Sequence, residues 1–208
     1  MDTTLRVYWA VKDRLVSLKL KDPPVAALEF RLGQTPMMAE VVEQSKMLCE
    51  DYIFSRLTAL LLPTNDLASN DTPRSGKVKT WKNRRFPSDV SMDIQRIGGE
   101  LESSFPSLYV NVSSQIGMPL RSDIAVRKAM IYIGDFMFRN SVVTWGRIIG
   151  LFAVAAAVAR ECVQNRRGNQ IPIIVKVFSE LIESHAATWI CRQGGWVSGL
   201  IYPFRWVN

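Results

Sequence analysis

Histidine is all but missing from this chain: His185 is the only one in 208 residues. One imidazole cannot by itself build a zinc site or a Ser-His-Asp triad, and no Cys-x-x-Cys supplies thiolate ligands. Neither a G-x-G-x-x-G nor a G-x4-G-K-[ST] loop is present, so nothing is shaped to cradle a phosphate. Paired carboxylates could still catalyse, but the acids fall on helix faces at no suggestive spacing. The expectation is a protein that is not an enzyme and holds no metal and no cofactor. Cysteine is scarce too: Cys49, Cys162 and Cys191 are odd in number and far apart. They argue against a disulfide framework and for a reducing compartment, and they read as small buried hydrophobes. Long apolar runs are also lacking. The longest, residues 148–159, is bounded by Arg147 and Arg160 and falls short of the roughly 18–20 residues of a membrane span. Near the N-terminus Asp13, Arg14, Lys19 and Lys21 interrupt the apolar residues, so no signal-peptide core is visible.

What is present is an ordinary globular balance with a local excess of positive charge. Hydrophobic residues are 48% and charged residues 22%, with a net charge of +7, which excludes wholesale disorder. Arg74, Lys77, Lys79, Lys82, Arg84 and Arg85 follow one another with no acid between them and supply +6 of that +7. They sit in a loop-like stretch, residues 63–87, rich in Pro, Ser, Asn, Asp and Thr. The stretch reads either as a solvated linker or as a strip facing anionic lipid, where each cation contributes about 1 kcal/mol. Nucleic-acid binding ranks behind both, because only Trp81 and Phe86 interleave the cations.

Periodicity along the chain points to helices throughout. Residues 1–35 are poorly specified. Beyond Pro36, the residues Met38, Val41, Val42, Ser45, Leu48, Cys49, Tyr52, Ile53 and Leu57 recur at three-and-four spacing, predicting a helix that ends before Pro63. Ser88 or Asp89 can cap a second helix, along which Val90, Ile94, Ile97 and Leu101 form one stripe. Pro106 breaks or restarts it, and Leu108, Tyr109 and Val112 carry the pattern to Gly117. A helix over about residues 122–139 presents Ile124, Met130, Ile131, Ile133, Met137 and Phe138. The next, from Val142 to about Val163, shows no polar face for three turns, so other helices must surround it. A last long helix spans residues 171–189, with Gly194-Gly195 ending its extension. Leu5, Val7, Trp9 and Val11 alternate briefly, but no stretch shows sustained strand alternation with hairpin turns. The expected fold is all-α, about seven or eight helices round one central apolar helix, in a domain covering residues 36–200 with a short tail at 201–208.

Three motifs in this order resemble the homology motifs of the B-cell lymphoma two (Bcl-two) family of apoptosis regulators. Thr144-Trp145-Gly146-Arg147 resembles the first, and Trp189-Ile190-Cys191-Arg192-Gln193-Gly194-Gly195-Trp196 the second. Ile94-Gln95-Arg96-Ile97-Gly98-Gly99-Glu100-Leu101 resembles the third, and the helix carrying Gln44 to Ile53 looks like the family's first helix. Gly98, Glu100-Leu101-Glu102, Pro106, Tyr109, Thr144-Trp145-Gly146 and residues 151–156 resemble the family's ovarian-killer (Bok) branch most.

The resemblance implies a helical bundle with a surface hydrophobic groove that receives third-motif helices of other family members. The equivalent of Arg147 would pair with the aspartate of such a helix, a role that suits a planar guanidinium, while Gly146 lets a helix approach closely. The implied groove residues are Val126, Met130, Ile133, Gly146, Arg147, Ile148 and Leu151. The third-motif helix itself carries Val90, Ile94, Ile97, Gly98 and Leu101, expected to be buried at rest. Trp189, Gly194, Gly195 and Trp196 form the second motif, and these tryptophans with Trp145 read as core and cap packing. Arg147 alternatively pairs with an internal acid. His185 reads as a half-buried helical residue.

Two positions depart from the family pattern. Gly99 stands where an aspartate is usual, and no hydrophobic anchor follows Leu200, so an anchor is either removed or not used. By resemblance the protein is a Bok-like pro-apoptotic effector that permeabilises the outer mitochondrial membrane. Alternatives are a pro-survival member that sequesters death-promoting partners, and a scaffold on anionic lipid acting through the basic loop. Expected partners are third-motif helices, lipid and further copies or relatives in an oligomer, with no nucleic acid. The expected location is the cytoplasm and the outer mitochondrial or endoplasmic reticulum membrane.

Overall fold

Helix α5, Trp145–Gln164, is the axis of the molecule. Thr144 takes extended backbone and its hydroxyl accepts from the Arg147 N–H, capping the helix. Of residues 145–159, all but Val154 are buried. An α-helix without a polar face is stable only when ringed by others, and the alanines of residues 153–159 let those neighbours come close. In this computed structural model, which describes residues 37–61, 88–139 and 142–197, the ring is complete. Helix α1 (Met38–Leu61) and α2 (Ser88–Ser104) lie on α5, as do α3 (Val112–Gln115), α4 (Asp123–Phe138) and α6 (Ile171–Leu181). Helix α7 (Ala187–Arg192) returns to α1. The described residues thus form seven α-helices and no strand, an all-α bundle as expected. The segments read as the poorly specified N-terminus, the basic loop and the tail lie outside the described residues.

Each outer helix turns one stripe inward. On α1 these are Val41, Ser45, Leu48, Cys49, Tyr52 and Ile53, the Ser45 hydroxyl donating to the Val42 carbonyl at 2.7 Å. On α2, Val90, Ile94, Ile97 and Leu101 are all buried, each contributing about 1.5–3 kcal/mol relative to an exposed side chain. Ser122 caps α4 by accepting from the Ala125 N–H at 3.2 Å. Burial pushes the Cys49 thiol up and carries that of Cys162 up to about 11, the acids Glu50 and Glu161 adding to it. Both cysteines behave as buried hydrophobes.

Three local readings need correction. The central helix starts at Trp145 rather than Val142: Val142 is 78% exposed and Thr144, not an apolar residue, sets the boundary. Ile124 is not core, because it occupies the first turn of α4 and is 68% exposed. The helix expected over residues 171–189 is interrupted by a π turn, Ile182–Ala186. A π turn accommodates an extra residue, and here both Ile182 and Ala186 stay fully buried. His185 lies half-buried within it, its Nε2 3.0 Å from Asp135 Oδ1 and its ring stacked on Phe138.

Candidate groove and its polar clamp

Helices α2 and α4 both rest on α5 while hardly touching each other. Gly146, Arg147, Ile148 and Leu151 occupy the first two turns of α5, and Val126, Met130 and Ile133 lie on α4. Val126, Met130, Ile148 and Leu151 have no exposed surface, and Ile133 is half-buried. These side chains are therefore covered at rest. The large apolar side chains that are exposed include Val110 before α3 and Ile124 and Tyr132 on α4, residues that periodicity alone did not assign to a site.

Arg147 is 8% exposed, unusual for a charge unless it is paired. Its Nη1 donates to the Val142 carbonyl, and its backbone N–H is taken by the Thr144 cap. No acid is paired with it among the described residues, so the alternative of an internal ion pair finds no support there. A guanidinium offers five N–H donors, and the bond to Val142 is the one side-chain hydrogen bond of Arg147 among the described residues.

The second-motif residues converge behind the first motif. Trp145 meets Trp189 edge-on at 5.1 Å between centroids and Trp196 at 5.7 Å. Trp196 is buried and its Nε1 donates to the Val41 carbonyl at 3.0 Å, while Phe152 meets it in a T-shaped contact. Gly194 and Gly195, at φ 85° and 83°, turn the chain so that Trp196 can reach inward. These tryptophans pack the core and brace the entry to α5.

A polar cluster that the sequence did not announce joins α2 to α1 and α5. The Glu102 carboxylate accepts from Tyr52 Oη at 2.6 Å, Arg56 Nε at 3.1 Å and Arg160 Nη2 at 3.3 Å. Arg56 also donates to the Gln95 carbonyl at 2.6 Å, and Ser55 bonds the Gln95 side chain at 3.0 Å. Burial and the neighbouring Glu102 hold the Tyr52 phenol far above its ordinary range, and the same two causes raise Tyr109. For Arg56, burial opposes the charge, but Tyr52 and Glu102 outweigh it and hold the guanidinium charged. Next along α5, the Glu161 carboxylate accepts from both the backbone N–H and the hydroxyl of Ser113, fixing α3. The partners are 46 to 58 residues apart, so only acid and base types, not their pairing, were readable in the sequence.

Comparison with known proteins agrees with this architecture. Residues 94–196 match the family model described as apoptosis regulator proteins, Bcl-2 family. The Bcl-2-related ovarian killer protein of Gallus gallus is 32% identical over 163 residues, covering 78% of this chain and 72% of that protein. The crystal structure of chicken BOK superposes with a TM-score of 0.63 at 31% identity, over 78% of this chain and 95% of that one. The fold is shared with Trichoplax adhaerens trBcl-2L2, solved bound to trBak BH3, at a TM-score of 0.58 and 20% identity over 76% and 95% of the two chains. With its ovarian-killer relatives, the chain belongs to the Bcl-2 family of apoptosis regulators.

Proposed function

We propose that the chain binds third-homology-motif helices of other family members in a groove between α2 and α4, floored by α5, with Arg147 gripping the aspartate of the incoming helix. The observation that carries this is the nearly buried Arg147 guanidinium, beside Gly146 and without an acid among the described residues. A desolvated cation with free donors is a ready partner for a carboxylate on an amphipathic helix, the helix-in-groove mode of recognition. The fold neighbour bound to a BH3 segment is consistent with that mode. Entry of the ligand requires the covered side chains Val126, Met130, Ile148 and Leu151 to be uncovered, so binding involves movement of α2 or α4.

Calorimetric titration with an aspartate-bearing third-motif peptide tests the assignment. Arg147→Ala is expected to weaken binding by about 1–3 kcal/mol, the range for a charge-assisted hydrogen bond. An aspartate-to-asparagine peptide should lose affinity for the native protein and lose little more for the variant. Equal affinity of native and variant protein for the acidic peptide removes Arg147 from the site.

We further propose a Bok-like death effector that permeabilises the outer mitochondrial membrane through the α5–α6 hairpin. The small residues of α5 support this reading, since they permit close helix packing in lipid. No described helix is long and apolar enough to cross a membrane as it stands, so the hairpin would have to associate with others. A pro-survival role is the second reading, favoured by Gly99, which leaves the third motif without the acid another molecule's arginine would grip. Mitochondria lacking other pore-forming members separate the two. An effector, tethered and given an activating peptide, releases cytochrome c and stops doing so when a disulfide locks α5 to a neighbour. A survival protein releases none and protects against an added effector.

A further inference from the structure

The polar residues around Glu102 do more than satisfy one another. Gly98 and Gly99 form adjacent positions on α2, and a Cβ on either would collide with α1. At Gly98 it would meet the Tyr52 hydroxyl and lie 2.7 Å from Tyr52 Cε2; at Gly99 it would lie 2.8 Å from Arg56 Nη2. The Tyr52 ring is buried and cannot swing aside. Arg56 could move, but only by leaving the Gln95 carbonyl it holds at 2.6 Å. Glycine is the poorest helix former short of proline, so α2 forgoes local helix stability at a place where Tyr52 and Arg56 of α1 leave no room for a Cβ. The compensating contacts are those of Tyr52, Arg56 and Arg160 on Glu102, with Glu102 only 15% exposed. Helix α1, by contrast, also packs on α5, α6 and α7 without involving α2.

We propose that Tyr52, Arg56, Glu102 and Arg160, admitted by Gly98 and Gly99, form a polar latch that holds α2 on α1 and α5, and whose opening frees the third-motif helix as a unit while α1, α5 and α6 stay packed. Glu102 thereby ties this chain's own α2 to cations of the same molecule. The inference rests on reading α2 as the third-motif helix of the proposed function. Its test, however, uses the protein alone, so a failure of peptide binding and a failure of the latch are read separately.

Native-state hydrogen exchange, followed amide by amide, is that test. In Glu102→Gln, exchange along α2 is expected to accelerate about ten- to hundredfold, the effect of losing charge-assisted hydrogen bonds, with α5 and α6 unchanged. Glu100→Gln, on the exposed face of the same helix and paired only with Arg96 among these contacts, should leave every helix as it was. Tyr52→Phe, which removes one donor and keeps the ring, is the milder variant should Glu102→Gln fail to fold, and should accelerate α2 alone by a smaller factor. Acceleration of α2, α5 and α6 together, or none in α2, overturns the latch: the cluster would then be ordinary core or idle surface.

Discussion

Replacing Phe152 by alanine is expected to cost about 3–5 kcal/mol of folding stability. The ring lies midway along α5 with no exposed surface, 4.5 Å from the Phe178 ring of α6, 5.8 Å from Tyr52 of α1 and 5.9 Å from Trp196 beyond α7. One side chain thus joins three elements to the central helix. Its neighbours on the C-terminal side along α5, Ala153, Ala155 and Ala156, carry only methyl groups, too short to fill the void that truncation leaves. That places the cost at the upper end for an aromatic truncation. Phe152→Leu, closer in volume, should cost less than about 1.5 kcal/mol. Urea unfolding followed by tryptophan fluorescence measures both, at a constant denaturant slope. A loss below about 1.5 kcal/mol for alanine would show that the three rings do not share the load.

The same helix shows what was legible in the sequence. Its complete apolar surface forces a surrounded position, and that inference needs no knowledge of the neighbours. The α2 stripe of Val90, Ile94, Ile97 and Leu101 was legible for the same reason, each residue ending buried. Boundaries were less so: Val142 and Val143 extend the apolar pattern past the Thr144 cap. The π turn at residues 182–186 leaves no mark in periodicity, since its two buried residues, Ile182 and Ala186, stand four apart as in an ordinary helix. Gly99 is the most instructive position. In the sequence it registers as a missing acid and a weak helix residue; in the fold it is the space that Arg56 occupies. That meaning depends on a partner 43 residues away in the chain, which no local pattern encodes. The groove residues were named by resemblance; the burial of Ile148 and Leu151 followed from the apolar surface of α5, whereas that of Val126 and Met130 on α4 is a property of packing.

Truncating Trp196 is expected to be as costly as truncating Phe152, about 3–5 kcal/mol, but by a different route. Its ring is 1% exposed and touches Trp145 and Phe152, while its indole N–H donates to the Val41 carbonyl. Alanine removes both the packing and a hydrogen bond that ties the end of the second motif to the first turns of α1. Phenylalanine separates the two contributions, since it keeps most of the apolar area and loses the hydrogen bond, for about 1 kcal/mol. The position is reachable only because Gly194 and Gly195 take positive φ, so alanine at either should cost a further 1–2 kcal/mol or so from the left-handed strain. Trp196 also bears on Trp145, the residue before Gly146 and Arg147. If its part is to brace the fold rather than to meet a ligand, Trp196→Phe, still folded, binds the third-motif peptide as tightly as the native protein does. Arg147→Ala, leaving these rings untouched, shows the reverse pattern: near-native unfolding and weakened binding. Measured side by side by urea unfolding and calorimetry, the two variants divide this end of the bundle into a part that holds it together and a part that receives the partner helix. Loss of peptide affinity in Trp196→Phe matching that in Arg147→Ala would show that the brace and the binding site are one.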